Sequence, residues 1–159
     1  MQRLATQYRV ATQYEGFDGE TVSVPEKTLR SVLTALGADV TDDDAARRSL
    51  AERETAPWRT LLPPVLVTEA GAAASVPVTF DDGDTVRVRL WHEDDPDEVW
   101  ELRPAQGTAP EMRRVDGTSR QRVAHALPGG LPLGWYRLEA TTGSGESAEI
   151  DVAVTPQRL

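Results

Sequence analysis

The sequence predicts an α+β fold, a small N-terminal helical region followed by an antiparallel β-sandwich of immunoglobulin-like type. Three observations carry this. Up to position 64, apolar residues recur at three- and four-residue steps between capping and breaking residues. From Val65 onward the period becomes two, with turn residues every ten or so positions, and the change coincides with Pro63-Pro64. A helical stripe requires the first period and a half-buried strand the second. Several short strands at regular spacing bury their apolar faces best as two packed sheets.

Leu4, Tyr8 and Ala11 fall on one side of a first short helix. Gly16 and Gly19 mark turns, and residues 20–24 alternate as a short strand. Pro25 suits a first helical turn and Glu26 its positive end. Leu29, Val32, Leu33 and Leu36 then form a stripe stopped by Gly37. Asp42 is an N-cap for the next helix, with Asp43 and Asp44 in its first turn, followed by Ala46, Leu50 and Arg53. Pro57 ends or kinks that helix, and a last turn carries Trp58, Leu61 and Leu62 to the boundary. The domains are thus residues 1–64, helical with a short strand, and residues 65–159, the sandwich.

Strands are predicted over 65–68, 74–80, 85–93, 98–102, 112–115, 120–127, 135–141 and 147–154, pairing in antiparallel fashion. Asp81-Asp82-Gly83-Asp84 reads as a hairpin turn and Asp94-Asp95-Pro96-Asp97 as an acidic one. In 85–93, Val86, Val88 and Leu90 share one face, while Arg87, Arg89 and Trp91 share the other.

Composition narrows the function. Seventeen basic groups against 26 acidic ones give a net charge of −9. Residues 1–64 hold eight basic and ten acidic groups (net −2), and residues 65–159 nine and sixteen (net −7). That balance argues against backbone-driven nucleic-acid binding. The chain has no Cys, which removes disulfides, thiolate nucleophiles and Cys-based zinc sites and suits a cytoplasmic location. No apolar run approaches the roughly 18 residues of a membrane span. A barrel enzyme takes roughly 250 residues, so 159 residues divided between helices and a sandwich leave no room for one.

Several residues form a familiar series. Leu4-Ala5-x-x-Tyr8-x-Val10-Ala11-Thr12-x-Tyr14 leads to Asp18-Gly19 and then to Val22-x-Val24-Pro25-x-x-Thr28-Leu29-x-x-Val32-Leu33-x-Ala35-Leu36-Gly37. Trp58-Arg59-x-x-Leu62-Pro63-Pro64-Val65, Leu131-Pro132-Leu133-Gly134 and Val154-Thr155-Pro156 continue it. The series resembles the N-terminal region of bacterial 4-α-glucanotransferases, the amylomaltases of glycoside hydrolase family 77. Arg9 stands where that family commonly has glycine, and Trp135-Tyr136 where it has Tyr-His. The resemblance implies a parent enzyme that moves α-1,4-glucan segments between glucans by the retaining two-carboxylate route. It also implies that the catalytic barrel of the same parent chain is this region's partner. The catalytic carboxylates would belong to that barrel, so no catalytic residue is carried over.

Nothing in the chain reads as a catalytic, cofactor or metal site. His92 precedes Glu93, Asp94, Asp95, Asp97 and Glu98, but Pro96 interrupts the run and no glycine supplies a calcium-loop bend. His125 alternates with Val123 and Leu127 and reads as a core histidine. Gly143-Ser144-Gly145 lacks the following Lys of a phosphate loop and reads as a turn.

The tryptophans are the better lead. Trp58 is expected to pack between the helices and the sandwich, and Trp100, on the face of Leu102, in the core. Trp91 and Trp135 lie opposite the apolar side of their strands. If these strands are third and sixth in the sandwich they are antiparallel neighbours. Trp91 and Trp135 then share an outer face with Arg87, Arg89 and Arg137. Such a face suits docking against the barrel or stacking on α-glucans. The expected role is therefore a non-catalytic N-terminal domain. The alternatives are an α-glucan-binding module and a free-standing protein-interaction domain. Tyr136 is the candidate tyrosine corner.

Overall fold

The computed structural model describes residues 1–157, which form two compact units dividing after Pro57. The division falls ahead of the boundary read at Pro63-Pro64.

In the first unit, α1 (Gln2–Gln7) is followed by a hairpin of β1 (Gln13–Glu15) and β2 (Thr21–Ser23), then α2 (Glu26–Ala35) and α3 (Asp43–Thr55). Leu4, Ala5, Leu29, Leu33 and Val40 are its buried centre. α1 stops earlier than the Leu4-Tyr8-Ala11 spacing predicts. Arg9 takes a left-handed φ of 56°, and the amide of Val10 turns back to the carbonyl of Ala5 at 2.9 Å. Ala11 is consequently exposed. The strand predicted at 20–24 finds a partner the sequence reading missed, since Tyr14 pairs across from Val22. Only half of the α2 stripe is buried, with Val32 and Leu36 exposed. Gly37, at φ 84°, ends that helix as its position predicts. Asp42 caps α3 by accepting the amide of Ala45 at 2.7 Å.

The second unit is a β-sandwich of eight strands: β3 (Val65–Glu69), β4 (Ser75–Asp81), β5 (Val86–His92), β6 (Asp95–Leu102), β7 (Glu111–Val115), β8 (Thr118–Ala126), β9 (Gly134–Thr142) and β10 (Ser147–Thr155). One sheet has the order β3-β10-β9-β5-β6, the other β4-β8-β7. All pairs are antiparallel except β3 with β10, which runs parallel from Val65 opposite Asp151 to Glu69 opposite Thr155. These two strands open and close the sandwich and no turn joins them, so sequence periodicity carries no information about their relative direction. Val76, Val78, Leu90, Leu138 and Val152 fill the space between the sheets.

Two turn readings need correction. Asp81-Asp82-Gly83-Asp84 reverses the chain, but β4 and β5 lie in different sheets, so it is an arch across the core and not a hairpin. Val78 and Phe80 on one side and Val88 and Leu90 on the other are all buried, which fixes the crossing. The acidic run after His92 is also arranged differently. The tight turn is Glu93-Asp94, and β6 already begins at Asp95. Pro96, Asp97 and Glu98 form a bulge, because His92 pairs with Asp95 but Trp91 with Val99. Proline is tolerated there since β6 is an edge strand.

The segment leading into β3 is clipped to the sandwich. Trp58 is 7% exposed, and the Arg122 guanidinium lies 4.0 Å over its ring. Arg59 forms a two-toothed pair with Asp116 at 2.7 and 3.3 Å. The carbonyl of Leu61 accepts the amide of Thr79 at 2.9 Å, and Leu61 and Leu62 join the core. Arg120 donates to the carbonyls of Arg59 and Thr79 and to Glu146 at 3.1–3.2 Å. Its Nε stands 3.3 Å from Asp81, close enough for an ion pair but at an angle that makes no hydrogen bond.

Arg9 bears the left-handed strain that glycine escapes. Arg9→Gly should raise the unfolding free energy by about 0.5–1 kcal/mol, relief of roughly 1–2 kcal/mol of strain outweighing the entropy of the added glycine. A urea titration checks this, and a lowered midpoint would contradict it.

Candidate functional site

The outer face of the five-stranded sheet is built by the pairing of β5 with β9. Leu90 stands opposite Leu138 and Val88 opposite Ala140, all four buried. Alternation therefore turns Arg87, Arg89 and Trp91 outward on one strand, and Trp135, Arg137 and Glu139 outward on the other. Trp91 faces Arg137 directly, and Trp135 sits diagonally from Trp91 beside the turn, its carbonyl accepting the amide of Glu93 at 3.0 Å. The predicted neighbourhood of Trp91, Trp135, Arg87, Arg89 and Arg137 is thus present. The Trp135 strand is seventh in the sandwich rather than sixth, because β6 adds an edge to this sheet.

The arginines are not a free cationic patch. Arg89 holds Glu139 through two nitrogens, and Arg87 lies 3.5 Å from Glu101. Arg137 reaches Asp151 at 2.9 Å, Glu149 at 3.5 Å and Glu93 at 3.8 Å. These exposed pairs add little stability, but they neutralise the three arginines and leave the middle of the face slightly acidic. Glu139, Glu149 and Asp151 were legible as alternate residues of 137–141 and 147–151, once β5, β9 and β10 are known to be adjacent.

Beside the ion pairs the face carries apolar residues towards one end. Val67, Ala153 and Trp135 form one cross-strand row, and Val65 and Val99 lie at the two ends of the Trp91-Arg137-Asp151 row. Trp135 is 57% exposed and Val67 61%. The valines were missed because a run such as Val65-Leu66-Val67 has an apolar residue on both sides. Only the packing of Leu66 against the core tells which side faces out.

The remaining candidates have structural roles. Tyr136 donates to the carbonyl of Pro132 at 3.0 Å, a tyrosine-corner bond, and His92 stands edge-on to it with ring centroids 4.7 Å apart. Gly134 is required there, since a Cβ would come within 2.6 Å of the His92 ring. Asp84 accepts the amides of Thr85 at 2.7 Å and Ser144 at 3.2 Å, tying the arch to the Gly143-Ser144-Gly145 turn. Hydrogen bonding from Ser144, foremost, and from Thr85 holds its carboxyl below the usual range. Trp100 packs against the core cluster but remains half-buried. Among the described residues no group of His, Cys, Asp or Glu is arranged to hold a metal ion, and no helix is long and apolar enough to cross a membrane.

Residues 61–156 match the family model described as the MalQ N-terminal beta sandwich domain. Proteins named 4-alpha-glucanotransferase from Mycobacterium bovis and Mycobacterium tuberculosis are 31% identical over 156 residues, 98% of this chain. The chain spans 21% of the length of those relatives. The crystal structure of amylomaltase from Corynebacterium glutamicum is similar with a TM-score of 0.84 and 32% identity, covering 99% of this chain and 23% of that one.

His125 is 2% exposed, and burial pushes its imidazole below the usual value against the smaller pull of the Val123 carbonyl. Unfolding then takes up a proton. Its contribution to stability is therefore present above the unfolded value of 6.5 and lost as pH falls below it. Urea unfolding should show stability declining as the pH falls below about 6.5. His125→Phe should remove that slope, and an unchanged slope would contradict the assignment.

Proposed function

Because the chain belongs to the family of MalQ N-terminal beta sandwich domains, we propose that it is the non-catalytic N-terminal region of a cytoplasmic 4-α-glucanotransferase. In this reading the five-stranded face docks on the catalytic barrel of the same parent protein. The sandwich itself we read as immunoglobulin-like, with its smaller and larger sheets and the tyrosine corner at Tyr136.

The observation that supports docking is the apolar row Val67, Ala153 and Trp135 on a face whose arginines are already neutralised. Aromatic residues and arginine are the residue types enriched at the centres of protein interfaces. The glucan-stacking alternative has the same two rings in its favour. Arg137 stands directly opposite Trp91 and two residues from Trp135, however, and interrupts the continuous aromatic platform a glucan would need. The length of the relatives, of which this chain spans about a fifth, supports a partner supplied by the same polypeptide.

Two outcomes follow. The chain alone, incubated with maltotriose, should leave the chain-length distribution unchanged, and redistribution above a mock preparation would contradict the non-catalytic role. Trp135→Glu should leave the melting temperature of this chain unchanged, since the residue is exposed. In the longer enzyme that carries the chain at its N-terminus it should lower that temperature. Equal behaviour in both contexts would contradict docking.

A further inference from the structure

A five-stranded sheet facing a three-stranded one leaves part of its inner face uncovered. At the β6 edge this overhang opens a cavity of about 580 Å³, lined by the run 99–104 with Gln106, and by Ala126, Leu127 and Pro128. Trp100, opposite Leu90 on the inward side of β6, stays half-buried there, its ring centroid 6.2 Å from that of Tyr136. We propose that this cavity is a binding site for a short neutral oligosaccharide. Its assignment to an α-1,4-glucan rests on the function proposed above.

The chemistry of the walls selects that class. Trp100, Leu102, Pro104, Leu127 and Pro128 supply an aromatic and apolar surface of the kind that meets the C–H face of a pyranose ring. The outer edge of β6 has no neighbouring strand, so its backbone N–H and C=O groups are available to sugar hydroxyls, with the Gln106 amide at the rim. One Glu and one Arg among the lining residues cancel, and Glu101 is already engaged with Arg87, so no net charge selects an ionic ligand. The volume lies within the roughly 300–1,000 Å³ of small-molecule sites.

An extended peptide fits less well. The free edge is limited to residues 99–102, bounded on one side by the Pro96-Asp97-Glu98 bulge. On the other side the chain crosses to β8, where Ala126 donates to the carbonyl of Arg103 at 3.0 Å and Ala105 to that of Ala124 at 2.7 Å. Strand addition needs a longer ladder.

The test is a titration of the 159-residue chain with maltoheptaose, followed by amide chemical shifts. Saturable shifts at millimolar sugar should appear in residues 99–106 and 126–128. Ala126→Phe, a change at an exposed residue that fills the mouth, should weaken binding about tenfold or more, while Trp135→Ala leaves it unchanged. Absence of shifts, shifts centred on Trp91 and Trp135, or full binding by Ala126→Phe would each overturn the site. Perturbation of the same residues by an extended peptide but not by maltoheptaose would overturn it too. Equal binding of cellohexaose would overturn the α-1,4 assignment. The docking reading is decided separately, by the melting comparison of Trp135→Glu in the two contexts.

Discussion

The pairing register between β5 and β9 determines both sides of the molecule at once. With Leu90 opposite Leu138 and Val88 opposite Ala140, these side chains enter the core. Because side chains alternate, the same register obliges Trp91, Arg137, Arg89 and Glu139 to stand together outside. A slip of one residue would bury two arginines and a tryptophan while exposing the core set, which a sheet with one dry face cannot tolerate. The outer face is thus as strongly specified as the core, although few of its own contacts contribute much energy.

That register is held at its ends by polar anchors. At one end Tyr136 bonds back to Pro132 while His92 packs against Gly134. At the other, Asp84 binds the turn between β9 and β10 through Ser144. The opposite sheet is closed by the clip of Trp58, Arg59 and Leu61, where the cation of Arg122 covers an indole that water would otherwise reach. The anchors sit where strands end and backbone groups lack ladder partners, which is where side-chain hydrogen bonds contribute most.

Much of this was legible from sequence, because period and punctuation are local properties. The change at Pro63-Pro64, the Asp42 cap, the Gly37 stop, the inward Val88 and Leu90 and the outward Trp91 and Trp135 all follow from spacing alone. Facts that depend on distant partners did not follow. The arch at Asp81–Asp84, the parallel meeting of β3 with β10, the acids that neutralise Arg87, Arg89 and Arg137, and the outward Val65 and Val67 require knowing which strands are adjacent. The resemblance placed a glycine where Arg9 stands, and the left-handed backbone there gives that preference its physical reason.

Docking as proposed would make Trp135 a buried contact in the longer enzyme, whereas it is exposed in this chain. Hydroxyl-radical footprinting with mass spectrometry reads this at single-residue level. Oxidation of Trp135 should be fast in the isolated chain and severalfold slower once the catalytic portion follows it on the same polypeptide. Equal oxidation rates in the two proteins would contradict docking.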